Sequence, residues 1–428
     1  MRASCTFVAM TLLLGCAGEQ EAVEPEPTEE RVAQTETMAP VAEFTEPVRT
    51  DEAITTSVED EIIYDQAVSL ADITVTTTDG IVTLMGDVDN LLSRERAERI
   101  AETVKGVRSV VNEIEVDPYW ALTDMQIEQD VESALLMDPA TDSWQVDVKV
   151  VDNVATLTGE VDSWQEKTLA GTVAKGVRGV GELKNDLTIK QDVVRTDQEI
   201  EDEIEKVLHW DVLVDDALIV VDVKDGHVTL SGTVGSVAER YQTWSNAWVR
   251  GVESVNDEDL QVEYWARDED LRKDKYVDVE DSEIRDAVTD ALLYDPRVNS
   301  TQITPTVKDG VVTLRGEVES LRASRSAEND ARNTVGVIRV QNRIRVEDVV
   351  HTAEQIEQKI RDGILFDPYL ERYEITVDAV NGDVYLTGVV DSFFEKSRAD
   401  LIASNISGVR EIHNNLVVEA SAEPLFYD

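Results

Sequence analysis

Five times along this 428-residue chain an aspartate is followed, 21 residues later, by a glycine. The pairs are Asp65 and Gly86, Asp138 and Gly159, Asp211 and Gly232, Asp295 and Gly316, and Asp367 and Gly388. One interval held so strictly means a small folding unit copied along the chain. It replaces the roughly three ordinary domains that length alone suggests with five very small ones. The copies also serve as an internal alignment. Positions that recur are needed by the unit, and positions that vary are free to be surface or function.

Fourteen residues ahead of these aspartates stand Asp51, Asp124, Asp197 and Asp281, with Ala353 as the exception. The hydrophobic pattern fades near Asp117, Lys190, Glu263, Glu347 and Glu419. Five blocks result, 51–117, 124–190, 197–263, 281–347 and 353–419, with a charged linker at 264–280. Each opens with an i, i+4, i+8 apolar stripe such as Ile54, Val58 and Ile62, the mark of an amphipathic helix. The recurring Asp ends that helix, and Asp138-Pro139, Asp295-Pro296 and Asp367-Pro368 enforce the stop, because a residue before proline leaves the α region.

An alternating strand follows, then a turn: Asp79-Gly80, Asp152-Asn153, Asp225-Gly226, Asp309-Gly310 and Asn381-Gly382. Such dipeptides supply the positive φ angles of a tight hairpin. In the next strand Val82, Leu84, Gly86 and Val88 share the inner face, so the glycine leaves room where a helix crosses or where the strand bulges. Threonines 83, 156, 229 and 313 mark a wet opposite face. A second helix begins with capping boxes at Ser163/Glu166, Ser236/Glu239 and Ser392/Glu395. Its inner face is lined by alanine pairs such as Ala97 and Ala101. Glycines 106, 179, 251, 336 and 408 are expected at its C′ position. A last strand closes the block. The fold class is α+β: five tandem α-β-β-α-β domains, each a three-stranded mixed sheet with two helices on one face.

The helix ending Leu292-Leu293-Tyr294-Asp295-Pro296, the strand 309–318 and the closing run 335–342 resemble the BON domain of bacterial envelope proteins, and the resemblance extends to all five blocks. It implies a non-enzymatic module of the periplasm or outer membrane, associated with phospholipid binding and with envelope or osmotic stress. It brings no catalytic residues. The amino terminus agrees independently. Arg2, an apolar run over 7–14 and Leu13-Leu14-Gly15-Cys16 read as a lipoprotein signal over 1–15, with Cys16 lipidated. Ala17 after the cysteine, by resemblance to common lipoprotein sorting, points to the outer membrane. Residues 16–50 then form a disordered Pro/Glu tether that holds nine Glu and two Arg.

The formal charge is −50. That excludes nucleic acid as a partner, since binding it needs a basic surface. It also opposes anionic headgroups unless local basic patches or divalent ions intervene. The acidity suits solubility or a salty exterior. With cysteines only at 5 and 16, no disulfide braces the mature domains. His209, His227, His351 and His413 show no metal-ligand spacing, and no nucleophile, phosphate-loop, dinucleotide or calcium-loop motif is present. No cofactor, metal or enzymatic activity is expected.

Variable positions carry the interaction candidates. Leu91, Trp164, Val237, Leu321 and Phe393 stand five residues after each recurring glycine, with Leu92 and Phe394 beside them. They are candidates for membrane or partner contact, with local packing at the helix entry as the competing account. Tyr119-Trp120 and Tyr264-Trp265 echo one another at the joins, and are expected to wedge between domains and stiffen them into a rod. The reading that results is a lipid-anchored, non-catalytic envelope protein contacting phospholipid or envelope partners. A periplasmic chaperone or scaffold and a calcium-dependent surface spacer or adhesin are the alternatives.

Overall fold

The computed structural model describes residues 49–68, 72–117, 122–141, 145–190, 195–267, 275, 279–347 and 351–419. Helix, strand, strand, helix and strand recur five times through the unit Val48–Asp428. The first helices are Asp51–Tyr64, Asp124–Met137, Asp197–Trp210, Asp281–Tyr294 and Ala353–Phe366. Their apolar stripes are buried, as at Ile200, Ile204 and Leu208, because only one side of each helix meets the sheet. The second helices are Leu91–Thr103, Trp164–Lys175, Val237–Asn246, Leu321–Arg332 and Phe393–Asn405. Small residues lie against the core there: Ala97, Ala101, Ala327 and Ala331 are fully buried. Each domain keeps its own apolar cluster.

Strand order, which the sequence left open, places the second strand at the centre of every sheet. In the fourth domain Ile303–Lys308 pairs antiparallel with Val311–Val318, which pairs parallel with Arg339–Val346. The hairpin residues Asp79, Asp225, Asp309 and Asn381 have φ between 51° and 54°, as a tight primed turn demands.

The aspartates that open the first helices do more than mark a boundary. Asp197 accepts the amides of Asp225 and Gly226 at 2.9 and 3.0 Å, clasping the hairpin turn to the helix start. Asp51, Asp124 and Asp281 make the same pair of bonds, and Ala353 cannot. These backbone donors hold the Asp197 and Asp281 carboxyls below the usual carboxylate range. A depressed acid pKa gives stability that is present at neutral pH and lost as pH falls through the folded value. Asp197→Ala is therefore expected to speed hydrogen exchange at the Asp225 and Gly226 amides at pH 7. Wild-type exchange, referenced to intrinsic rates, should approach the variant's in acid. Equal protection at pH 7 would refute the clasp.

Three local expectations are corrected. The recurring glycine does not sit under a helix. A Cβ on Gly232 would lie 2.0 Å from the carbonyl oxygen of Leu218, at the entry to the first strand, and Gly159 and Gly316 face the equivalent carbonyls of Gln145 and Gln302 at 2.2 and 2.1 Å. Close backbone approach across the hairpin is the constraint. Second, the later glycines are not C′ residues. Gly251 lies beyond the Ala247 cap at φ +98°, and a Cβ there would come within 3.2 Å of Ile200, the first apolar residue of the first helix. Third, full reciprocal capping boxes occur on the first helices, at Thr123/Gln126, Thr196/Glu199 and Thr352/Gln355. On the second helices the serines cap, but Glu166 and Glu239 accept from Asp162 and Gly235, one residue earlier. Cap residues Ser163 and Ser236 are more extended, at φ −150° and −159° against −80° and −78° for Thr123 and Thr196, which turns a different amide toward the glutamate.

Candidate contact surfaces

The aspartate that ends each first helix uses its two carboxylate oxygens differently. One accepts the backbone amide two residues on in all five domains: Ala67, Ala140, Leu213, Arg297 and Tyr369, at 2.8–3.0 Å. The other faces the second helix or a neighbouring domain. Asp65 meets Arg96 and Asp367 meets Arg398 within their own domains. In the second domain that place on the helix is Leu169, and Asp138 instead receives Arg297 from the fourth domain at 3.0 Å. Asp211 takes amides from Gln242 and Asn246.

The fourth domain departs from this pattern. Where the third has Asn246, it has Asp330, hydrogen-bonded to Asp295. Asp330 borders a cleft of about 630 Å³ between the third and fourth domains, walled by Trp210, Leu213 and Tyr294. Burial pushes the Asp330 carboxyl up to about 9, with the charge and hydrogen bond of Asp295 adding to it. Its Oδ2 is buried without a hydrogen-bond partner. A raised acid pKa means the fold retains a proton that the unfolded chain releases, so stability falls as pH rises from about 4 toward 9. Asp330→Asn, which can donate to Asp295 as Asn246 does to Asp211, should stabilise the protein by about 1–3 kcal/mol at pH 8. The gain should shrink toward pH 4. Urea melts at the two pH values decide it, and a less stable variant at pH 8 would count against the shared proton.

At the start of the second helices, Leu91 is buried and joins the second domain's core cluster, while Val237 packs on the first domain's. Trp164 stacks on Trp248 of the third domain at 5.6 Å and meets Trp244 edge-on at 5.3 Å. Phe394 sits edge-on to Tyr369 at 4.8 Å, and the Tyr369 hydroxyl reaches Ser93 of the first domain at 3.0 Å. Leu92 and Leu321 are half-buried. Phe393 is 67 % exposed.

Domain contacts are not confined to sequence neighbours. The Arg178 amide donates to the Phe366 carbonyl, and the Val335 amide donates to the Trp210 carbonyl, at 2.8 and 3.0 Å. These are the same repeat positions, so the second domain grips the fifth as the fourth grips the third. Such contacts between non-neighbours do not match a linear rod. Of the linker aromatics, Trp265 is 59 % exposed, the side chain of Tyr264 is not described, and Tyr119 and Trp120 lie outside the described residues, as does Cys16. Among the described linker residues Ala266 is buried, and Lys275 inserts to donate to the Leu208 and Val214 carbonyls at and just beyond the end of the third domain's first helix.

One surface was missed in the sequence. The fourth domain holds ten Lys and Arg against eleven Asp and Glu, where the third holds four against seventeen. Its sheet face opposite the helices exposes Lys308, Arg315, Arg339, Arg343 and Arg345, with Glu317 the acidic residue among them. Arg315 lies across from Arg343, and Glu317 across from Arg345, at 3.3 Å between side chains. Arg315, Arg339 and Arg343 have no ion pair among the described residues. The first domain has Met85, Ser109, Glu113 and Glu115 where this one has Arg315, Arg339, Arg343 and Arg345. A period-two run of arginines was the available signal, hidden by the chain's total charge.

Among the described residues, no group of three or more His, Cys, Asp or Glu is placed to hold a metal, and no helix is long and apolar enough to cross a membrane.

A family model of the BON domain matches residues 50–118, 123–191, 196–264, 280–348 and 352–420. Osmotically-inducible protein Y of Escherichia coli (strain K12) is 33 % identical over 146 residues, covering 33 % of this chain and 73 % of that protein. An uncharacterised protein from the gshII 5′ region of Anaplasma centrale is 29 % identical over 128 residues, 29 % of this chain and 85 % of its own length. Among solved structures, CdsD, a structural protein of the type III secretion system of Chlamydia trachomatis, aligns over 48 % of this chain and 90 % of its own, at 13 % identity and a TM-score of 0.14. A score that low carries no argument.

Proposed function

The chain belongs to the BON domain family five times over, and from that premise we propose a non-enzymatic, lipid-anchored envelope protein that works by surface contact in osmotic or envelope stress. Its relative in Escherichia coli is named for osmotic induction. The observation that carries the reading is the division of labour within the repeat. Recurring residues are absorbed by hairpin clasps, helix ends and core, whereas the residues left outward, among them Phe393 and the arginines of the fourth sheet, differ from copy to copy. Five scaffolds presenting five different faces suit contact with extended surfaces, such as phospholipid or envelope partners. The Leu13-Leu14-Gly15-Cys16 box supports attachment through Cys16, and the outer membrane facing the periplasm is the proposed location.

The test has two arms. Wild-type and Cys16→Ser chains are expressed in a bacterium with a labelled fatty acid, and both label and membrane fractionation should depend on Cys16. The unlipidated Cys16→Ser chain is then floated with vesicles. Binding to phospholipid supports the contact reading. A chain that ignores every vesicle but suppresses aggregation of unfolded clients is a chaperone instead.

A further inference from the structure

The contact reading leaves open how a chain of formal charge −50 could approach a bilayer. We propose that the open sheet face of the fourth domain, carrying Lys308, Arg315, Arg339, Arg343 and Arg345, is a docking surface for anionic phospholipid headgroups. The proposal rests on the membrane-contact reading and gives it a site.

The face is built for a flat polyanion. Its five cations project from alternate positions of three adjacent strands, so they share one side of the sheet. Neighbouring tips are spaced by the strand separation, about 4.8 Å, or by two residues along a strand, about 6.6 Å. Between them stand Thr304, Thr306, Thr313 and Gln341, which are polar and low. The shallow hollow beside Gly316, about 550 Å³, is walled by Arg315, Arg343 and Arg345 together with Glu317 and Gln302. Four of the five cations are arginines, whose planar forks bind phosphate oxygens in pairs. Only Glu317 competes for them on this face. Ile338, 81 % exposed and next to Arg339, adds an apolar contact at the rim.

Net charge does not prevent this. At an ionic strength near 0.15 M charges are screened beyond about 8 Å, so headgroups at the sheet feel the five cations more than the acids on other domains. At low salt the whole acidic molecule is repelled, and at high salt the arginines themselves are screened. Binding should therefore pass through a maximum with salt, unlike that of an ordinary basic protein, which only weakens.

The experiment uses the full-length Cys16→Ser chain and sedimentation with vesicles of phosphatidylglycerol and phosphatidylcholine, or of phosphatidylcholine alone, at 0.02–1 M salt. Those concentrations are set to span Debye lengths of about 3 to 20 Å. Expected is binding to the anionic vesicles alone, with an intermediate salt maximum. R315E/R343E/R345E should lose it by at least about tenfold, as each basic residue near such a surface contributes roughly fivefold alone. The milder R343Q/R345Q, checked by circular dichroism, should lose part of it. Unchanged binding by the folded charge-reversal variant would overturn the site while leaving membrane contact standing. Failure of the unsubstituted chain to bind any vesicle would sink both. Self-association abolished by the same variant, without vesicle binding, would assign the face to a second acidic copy of the chain and overturn the proposal.

Discussion

Gly232→Ala should unfold the third domain, or come close. The added Cβ would lie 2.0 Å from the Leu218 carbonyl oxygen, and backbone atoms of a paired strand cannot swing aside as a side-chain tip can. The residue also has φ +114°, a conformation that L side chains rarely adopt. Strain of about 1–3 kcal/mol from the backbone alone, with about 1–3 kcal/mol more from overpacking, suggests a loss of roughly 2–6 kcal/mol. A domain this small lacks the burial to absorb that. Tryptophans 210, 244 and 248 belong to this block, so urea unfolding followed by fluorescence reads it directly. Gly181→Ala is the control, because its Cβ would meet Asn153 at an ordinary 3.6 Å without a positive φ. It should cost under about 1 kcal/mol. A similarly small loss at Gly232 would mean that the strand accommodates a side chain and that the glycine recurs for another reason.

The second large effect is expected at Arg398→Ala. Asp367 is 2 % exposed and holds the Tyr369 amide with one oxygen and the Arg398 Nε with the other, at 3.0 and 2.6 Å. Burial raises its pKa, and the guanidinium works against that rise. Removing the arginine leaves a buried carboxylate unpaired, which costs about 3–5 kcal/mol at neutral pH. Without its cation the folded pKa climbs further, so the variant's stability falls as pH rises through the interval above the unfolded value. The deficit should therefore be largest at pH 7–8 and shrink as pH falls toward the unfolded carboxyl's value of about 4. Asp367→Asn in the same chain keeps an oxygen for the Tyr369 amide and removes the charge, so the double variant should recover much of the loss at pH 7. A double variant no better than Arg398→Ala would show that Arg398 matters by packing, over the Tyr369 ring 6.0 Å away, and not by charge.

Legibility differed sharply between kinds of residue. The helix stripes, the hairpin turns and the alanine-lined second helices follow from local periodicity and turn chemistry, and each was readable in a single copy. The strict Asp–Gly interval was visible at once, but its cause was not. The carbonyl that excludes a side chain at Gly232 comes from Leu218, just ahead of the neighbouring strand, and its approach depends on pairing register. Asp197 looked like a boundary marker, and its bonds to Asp225 and Gly226 span 28 and 29 residues. Arg297 could not be matched to Asp138, because the two lie in different copies. The arginines of the fourth sheet were countable, yet a chain-wide charge averaged them away.

The sequence by itself determined how many domains there are, what each is built from and which positions are structural. These depend on interactions within a few turns of chain or one hairpin, and five copies repeat them. Only the tertiary structure decided the strand order, the close contact that demands glycine, the partner of each helix-end carboxylate and the common side of the five cations. Those depend on atoms far apart in the chain that folding brings within a few ångströms. The aspartate and glycine that define the repeat are the plainest case: their spacing is written in the chain, and what each one touches is set by the fold.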